Sequence, residues 1–430
     1  MPPTDRTDSG RGAKLRRQRV PFESSDKPGA SAKFSRMRLF RDIPVVPTLS
    51  LYANAQLADG GPIWPGFDTR NAIRHNRKGM IVDRAPLPRS DPHKTIDRPC
   101  VWGGFAMVHF GHLISEHLTR VLESVSERPD DMFLFIGRPG EDASSAPGYF
   151  WDILAWYGLP RDQVMFVTEP LLVSELRVMP QAEQMAFGEP TDAYLDLLDQ
   201  IPQARGLVPV KTGILYVTRV GLLQRGKGGH AGESYLVARL GACGVRVLDP
   251  TKVPLPDQLA LYAGAKVIVF AEGSAIHGRQ LLGRLPQQIF VLKRRPDKAV
   301  AMGILAKRCD QLHYVETTTR FVSATAQSGR AFDAKGISFY DLAELQACFR
   351  GLGVDLAPGW SQREYRKQRD ADAIAWVAAM RATVSLTQQS TMQIWDDLGQ
   401  EGIRRPRLAA WWNRLKRHAR SLFAIIVRRK

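Results

Sequence analysis

The chain has 430 residues, of which 44% are hydrophobic and 24% charged, and a formal net charge of +17. The length is enough for two domains with full cores, and the composition is that of an ordinary soluble protein. The charge is uneven: residues 1–42 hold 11 Lys/Arg against 5 Asp/Glu, and residues 403–430 hold 10 against none. The folded middle is therefore nearly neutral, which excludes a nucleic-acid binder that carries its basic face on the fold.

The four cysteines, Cys100, Cys243, Cys309 and Cys348, form no CxxC pair. This spacing argues against a disulfide framework or zinc knuckle, and a reducing cytoplasm fits. No charged start is followed by an apolar stretch of the secretory kind. No apolar run approaches the roughly 20 residues of a membrane span.

Residues 1–42 are rich in Arg, Ser, Gly and Pro, and the composition predicts a disordered basic tail. An N-terminal α/β domain is expected over 43–205. It begins with an irregular lead-in to about residue 95, holding one or two edge strands around Val45-Val46 and Met80-Ile81-Val82. Trp102-Gly103-Gly104-Phe105 then reads as a glycine-bearing turn, and Phe110 to Val125 as one helix. On that helix Leu113, His117 and Arg120 share one side, while His112 and Glu116, four apart, meet on another. Met132–Ile136 reads as a strand, Phe150–Tyr157 as a helix stopped by Gly158 and Pro160, and Val164–Val167 and Leu171–Met179 as strands. Asp192–Ile201 is an amphipathic helix leading into the next domain. Strands alternating with helices predict a largely parallel sheet.

The second α/β domain is expected over 206–355. Its strand Ile214–Arg219 passes into the basic, glycine-rich loop Gln224–His230, and a helix starts near Gly232-Glu233-Ser234. A strand at Val245–Leu248, a helix at Pro256–Gly264 and an apolar strand at Lys266–Phe270 follow. The last ends in Glu272-Gly273-Ser274-Ala275-Ile276-His277. Two strands thus end in glycine-bearing turns that open helices, the place where α/β sheets bind ligands and helix N-termini attract phosphate. Gln288–Leu292 and His313–Val315 read as strands, Ala299–Arg308 and Tyr340–Arg350 as helices, and 317–338 as a loop excursion. Residues 356–400 form a helical return segment. In the tail 401–430, Leu408, Trp411, Trp412, Leu415, Leu422, Phe423 and Ile426 recur at helical spacing among Arg414, Lys416, Arg417 and Arg420. This predicts a basic amphipathic helix at an anionic membrane surface; a helix docked on the protein's own core is the alternative.

A leaving diphosphate needs fixed positive charge. Arg219 ends its strand, Arg225 and Lys227 lie in the following loop, and Gly273-Ser274 opens the second turn. Each alone would be a surface ion pair or a solvated loop; two converging strand ends favour phosphate. No Walker A spacing is present, which weakens a kinase or ATPase reading. Glu233, otherwise a first-turn carboxylate favouring the helix dipole, becomes a partner for ribose hydroxyls or a clamp on Arg219. Glu272 and His277 flank the second turn, His277 facing the diphosphate or the sugar. His109, His112, Glu116 and His117 lie within nine residues, but not at His-Glu-x-x-His spacing, so no metal site is predicted. His112 or Glu116 is a candidate general base; His117 reads as a structural, partly buried histidine.

These residues resemble glycosyltransferase family 61. The resemblance rests on Tyr216-Val217-Thr218-Arg219, Gly232-Glu233-Ser234, Gly244–Val247, Leu255–Leu259, Ala263-Gly264-Ala265 and Glu272–His277, and on the weaker Phe110-Gly111-His112 with Glu116; it covers roughly residues 100–310. It implies two Rossmann-like domains of the GT-B kind and inverting transfer from a nucleotide sugar with no obligatory metal or cofactor. The implied partner is a capsular polysaccharide or lipid-linked glycan acceptor. By the same resemblance Arg219, Glu233 and Gly273-Ser274 fall on donor-side motifs. Family members often carry Arg-x-x-Asn before the glutamate. Here Gly229-His230-Ala231-Gly232 stands there, leaving Arg225 and Lys227 as candidates for the second cation. With its basic tail, the chain reads as a bacterial enzyme on the inner face of the plasma membrane. A non-catalytic polysaccharide-assembly protein with the same sheet is the alternative.

Overall fold

The computed structural model of the chain describes residues 36–405, except 53–56, 66–72, 78–79, 85–90, 93, 107–108, 186–187, 224, 327–328, 330 and 385. The expected disordered tail over 1–35 and the expected amphipathic helix beyond 405 lie outside the described residues.

The stretch expected to be an irregular lead-in is instead the middle of a sheet. Arg38–Tyr52 forms the 15-residue strand β1, so the last residues assigned to the basic tail already belong to the fold. Prolines are disfavoured inside a strand because they lack an N–H. Pro47 falls at a register break between Val46 and Ser50, where a missing N–H is tolerated, and Ile43, Val45 and Val46 are buried. Short strands follow: β2 (Leu57–Pro62), β3 (Asn76–Arg77), β4 (Met80–Ile81), β5 (Asp83–Arg84) and β6 (Lys94–Ile96). The strands β8 (Met132–Ile136), β9 (Val164–Phe166) and β10 (Leu171–Val178) lie where the α/β pattern places them, and β7 (Cys100–Phe105) takes up the stretch expected to be a turn. The sheet order is β5-β2-β1-β10-β7-β8-β9, with β6 beside β10. The sheet is largely parallel, as the α/β pattern predicts: β10, β7, β8 and β9 are parallel, as are β6 with β10 and β2 with β5, while β1 runs antiparallel to both β2 and β10.

Gly103 and Gly104 do not turn the chain. They sit inside β7, at a register break against β8. A Cβ on Gly103 would lie 2.4 Å from the Phe135 ring, and Gly104 has φ +107°, so both positions exclude a side chain. The helix expected over 110–125 is broken as well. It is a single α-turn (Phe110–His112), a π-helical turn (Leu113–His117), and a separate helix Val121–Glu127.

The second half contributes β11 (Thr212–Val217), β12 (Gly229–Ala231), β13 (Arg246–Leu248), β14 (Ala265–Ala271), β15 (Gln288–Leu292), β16 (Gln311–Val315), β17 (Thr318–Val322) and β18 (Ile337–Tyr340). Five of them form a wholly parallel sheet, β13-β11-β14-β15-β16. The other three form a small sheet, β12-β18-β17. The basic loop after β11 therefore ends in a strand, and the excursion over 317–338 contains two. The helices Gln362–Thr383 and Gln388–Gln400 pack on this small sheet through Ala373, Trp376, Met380, Ile394 and Leu398.

One hydrophobic cluster joins the two large sheets. It holds Val101, Leu113, Phe133 and Phe150 together with Leu215, Leu259, Ile268 and Val291. Within it Trp156 Nε1 donates to the Leu281 carbonyl at 2.8 Å. This shared core presses the π-turn after His112 against the turn after β14.

Candidate active site

The site grows from the C-terminal ends of β11 and β14, neighbours in register from Thr212 opposite Ala265 to Val217 opposite Phe270. Arg219 follows β11 and is 6% exposed. Its Nε donates to the Gly228 carbonyl at 2.9 Å, while Nη1 and Nη2 have no hydrogen-bond partner among the described residues. The guanidinium lies against Gly273, where a Cβ would stand 1.6 Å from Nη1. Gly273 caps the 3-10 helix Ser274–Leu281, whose first N–H groups lack intrahelical partners. Arg219 and Ser274 thus border one place, as the sequence reading requires.

The two nearby glutamates are fully buried and hold the frame. Glu233 Oε1 accepts from Tyr216 Oη at 3.0 Å, Thr218 Oγ1 at 2.7 Å and the Arg219 backbone N–H at 2.9 Å. Burial raises its pKa against these hydrogen bonds and the charge of Arg219. In this structure Glu233 grips Arg219 through the backbone. Glu272 accepts from the backbone N–H groups of Arg294 at 2.8 Å and Arg295 at 3.0 Å, and from Arg295 Nε at 2.6 Å. Burial raises its pKa, but the charge and hydrogen bonds of Arg295 and Arg294 outweigh that and leave it lowered. Arg294, 2% exposed, donates to the Gly336 carbonyl at 2.7 Å, and burial with the charge of Arg219 brings its pKa down to about 9. Three arginines therefore lie beyond the C-terminal ends of β11 and β15, the strands on either side of β14.

The other wall is the Phe110–His117 segment. Gly111 allows close approach: a Cβ there would lie 2.7 Å from His277 Cδ2 and 3.3 Å from Ser274 Cβ. The neighbouring His112 is partly exposed, and its Nδ1 stands 3.0 Å from Glu116 Oε2. Arg77, from the β3–β4 hairpin, places Nε 2.6 Å from the same Oε2 and Nη2 3.0 Å from His112 Nε2. Burial raises the pKa of Glu116, and the His112 hydrogen bond with the charges of His112 and Arg77 brings it below its ordinary value. The Gln181 side chain ties the Asn76 N–H to the Glu116 carbonyl and so fixes the hairpin on the π-turn. His109 packs on His112 at 4.6 Å between ring centroids.

The structure thus gathers His112, Glu116, Arg219, Glu233, Glu272, Gly273, Ser274 and His277. Arg225 and Lys227 are exposed on the turn before β12. The charge of Lys227 reaches His109 and Lys335. The additional cations at the site are Arg77, Arg294 and Arg295, none of which the sequence reading named. The only sequence signal for Arg294-Arg295 is a basic pair just past a strand end. His117 is buried and stacks on His75 with ring centroids 4.9 Å apart, in keeping with a structural histidine.

Residues 110–279 match the family described as Glycosyltransferase 61. This stretch is a glycosyltransferase family 61 domain. It begins at the His112 segment and ends just past His277, so both walls of the site belong to it, and the protein is a glycosyltransferase. Arg77, Arg294 and Arg295 reach the glycosyltransferase 61 site from outside the matched stretch. No curated protein matches the chain.

Proposed function

We propose that the protein is an inverting transferase of the GT-B kind. It moves a sugar from a nucleoside-diphosphate donor to a hydroxyl of a cell-surface polysaccharide, such as a capsule, or of a glycolipid. The observation that carries this reading is the pair of unpartnered Nη atoms of Arg219, held over Gly273 beside the start of the Ser274 helix. That is a ready seat for two phosphate oxygens. The acceptor hydroxyl attacks the anomeric carbon on the face opposite the diphosphate. As the new C–O bond forms, the bond to the phosphate oxygen breaks and charge gathers on the leaving diphosphate. Arg219, with Arg294 and Arg295 behind it, stabilises that charge, so the reading needs no metal. The hydroxyl proton passes to His112 Nε2. Glu116 holds the opposite ring nitrogen and stabilises the imidazolium. Arg77 gives up its contact with Nε2 to the incoming hydroxyl and keeps its ion pair with Glu116.

Arg219→Ala should lower transfer about 100- to 1,000-fold and abolish the rise in melting temperature produced by the best nucleoside diphosphate of a screening panel. Near-normal transfer would remove Arg219 from the reaction. The basic C-terminal tail would keep the enzyme at the inner face of a bacterial plasma membrane, beside a lipid-linked or polymeric acceptor. Deleting 403–430 should move the protein from floated anionic vesicles to the soluble fraction; an unchanged distribution would end that part of the reading.

A further inference from the structure

Behind the site runs a buried line of side chains from the first half of the chain to the Ser274 helix. Arg308 and Glu183 form a two-point ion pair, Nη2 to Oε1 at 3.0 Å and Nη1 to Oε2 at 2.9 Å, with both side chains at most 1% exposed. Gln280, 1% exposed, places its Nε2 3.4 Å from Glu183 Oε1. Its other amide atom, Oε1, lies in hydrogen-bond contact with His277 Nδ1.

This order fixes a tautomer. The carboxylate paired with Arg308 can only accept, so the Gln280 amide must turn its NH₂ toward Glu183 and its oxygen toward His277. An amide oxygen can only accept, so His277 Nδ1 must carry the proton. His277 Nε2 is then the unprotonated nitrogen. It has no hydrogen-bond partner among the described residues, and it lies on the Gly111 and Ser274 side of the ring. Burial brings the imidazole pKa down to about 4, so the ring remains neutral through the physiological range.

We propose that His277 presents this Nε2 to the donor site as a fixed acceptor for a sugar hydroxyl, with Gln280 and Glu183 as positioning residues that lock the tautomer. The proposal rests on the transferase reading and sharpens it. An unprotonated nitrogen has no hydrogen to offer a phosphate oxygen, so His277 belongs to the sugar and not to the diphosphate. A sugar lacking the matching hydroxyl would leave Nε2 buried and unpaired, which makes His277 a specificity determinant.

The test uses the full chain with ¹⁵N-labelled histidine and long-range ¹⁵N–¹H correlation, the His277 signals being those lost in His277→Gln. An unprotonated Nε2 and a protonated Nδ1 from pH 8 to pH 5 are expected, with the two nitrogens averaging in Gln280→Met. A protonated Nε2 in the wild-type chain overturns the proposal, and that spectrum needs no variant to fold. With the nucleotide sugar that the wild type consumes, His277→Leu and Gln280→Met should each lose about tenfold in kcat/KM. His277→Gln, whose amide can reach the Nε2 position, should retain more activity than His277→Leu. Wild-type kcat/KM in His277→Leu, or an unmoved tautomer in Gln280→Met, also overturns it. The spectrum reads the tautomer whether or not a donor sugar is found, so failure of the transferase reading and failure of this one are distinguishable.

Discussion

Around Arg219, burial assigns different work to residues of like charge. Glu233 and Glu272 are both fully buried; Glu233 holds the Arg219 backbone N–H and Glu272 those of Arg294 and Arg295, so they set the places of these arginines. Arg219 keeps its terminal nitrogens unbonded and can spend them on a ligand. Its orientation depends on Gly273 having no side chain. The Gly273 backbone is extended, with φ 172°, so alanine meets no backbone penalty there. An alanine Cβ would nevertheless stand 1.6 Å from Arg219 Nη1 and force the end of that side chain aside. A displacement of about 1 Å in a positioning group can cost roughly 100-fold in rate. Gly273→Ala is therefore expected to lose about that much transfer while its melting temperature stays close to the wild type. Full activity in Gly273→Ala would show that the Arg219 geometry does not govern the reaction.

At the scale of elements, what was legible in the sequence was whatever repeats locally. β8 and β15 fall on the residues expected, because a continuous apolar run between turn residues has few other readings. The turn after β14 could be named because glycine at the mouth of a helix following an apolar strand is itself a local pattern. Elements whose existence depends on distant partners were not legible. β12 is three residues long and pairs with β18 more than a hundred residues later. β1 carries prolines that local propensity counts against a strand; the register break absorbs Pro47, and Pro44 stays in the ladder opposite Leu172. The pair of His112 and Glu116 could be read from four-residue spacing, and the π-turn preserves their meeting. Their third member, Arg77, comes from a hairpin of two-residue strands, and no spacing in the sequence relates residue 77 to residue 116.

Across the whole molecule, the shared core makes the acid response of one half the response of both. His75 and His117 belong to the first half, His230 and His277 to the second, and all four are buried, with burial the largest cause of their lowered pKa values. His117 is brought to about 3 and His277 to about 4. In the unfolded chain these rings titrate near 6.5, so between that value and the folded pKa the unfolded state binds more protons. Their contribution is complete above about pH 6.5 and is lost as pH falls, at up to about 1.4 kcal/mol per pH unit for each ring. Glu272 and Glu116 have lowered pKa values, so their contribution fades only below the ordinary carboxylate range. Glu183, Glu233, Asp372 and Asp152 have raised values and act in the opposite sense above that range, but they stand against five lowered histidines once His109 is added to the four. The net expectation is a melting temperature that drops steeply between pH 6.5 and pH 5, in one cooperative transition, because the cluster joining the sheets leaves neither free to melt alone. A melting temperature that holds level across that interval would mean that these rings are already protonated in the fold; two separate transitions would mean that the sheets do not share their stability.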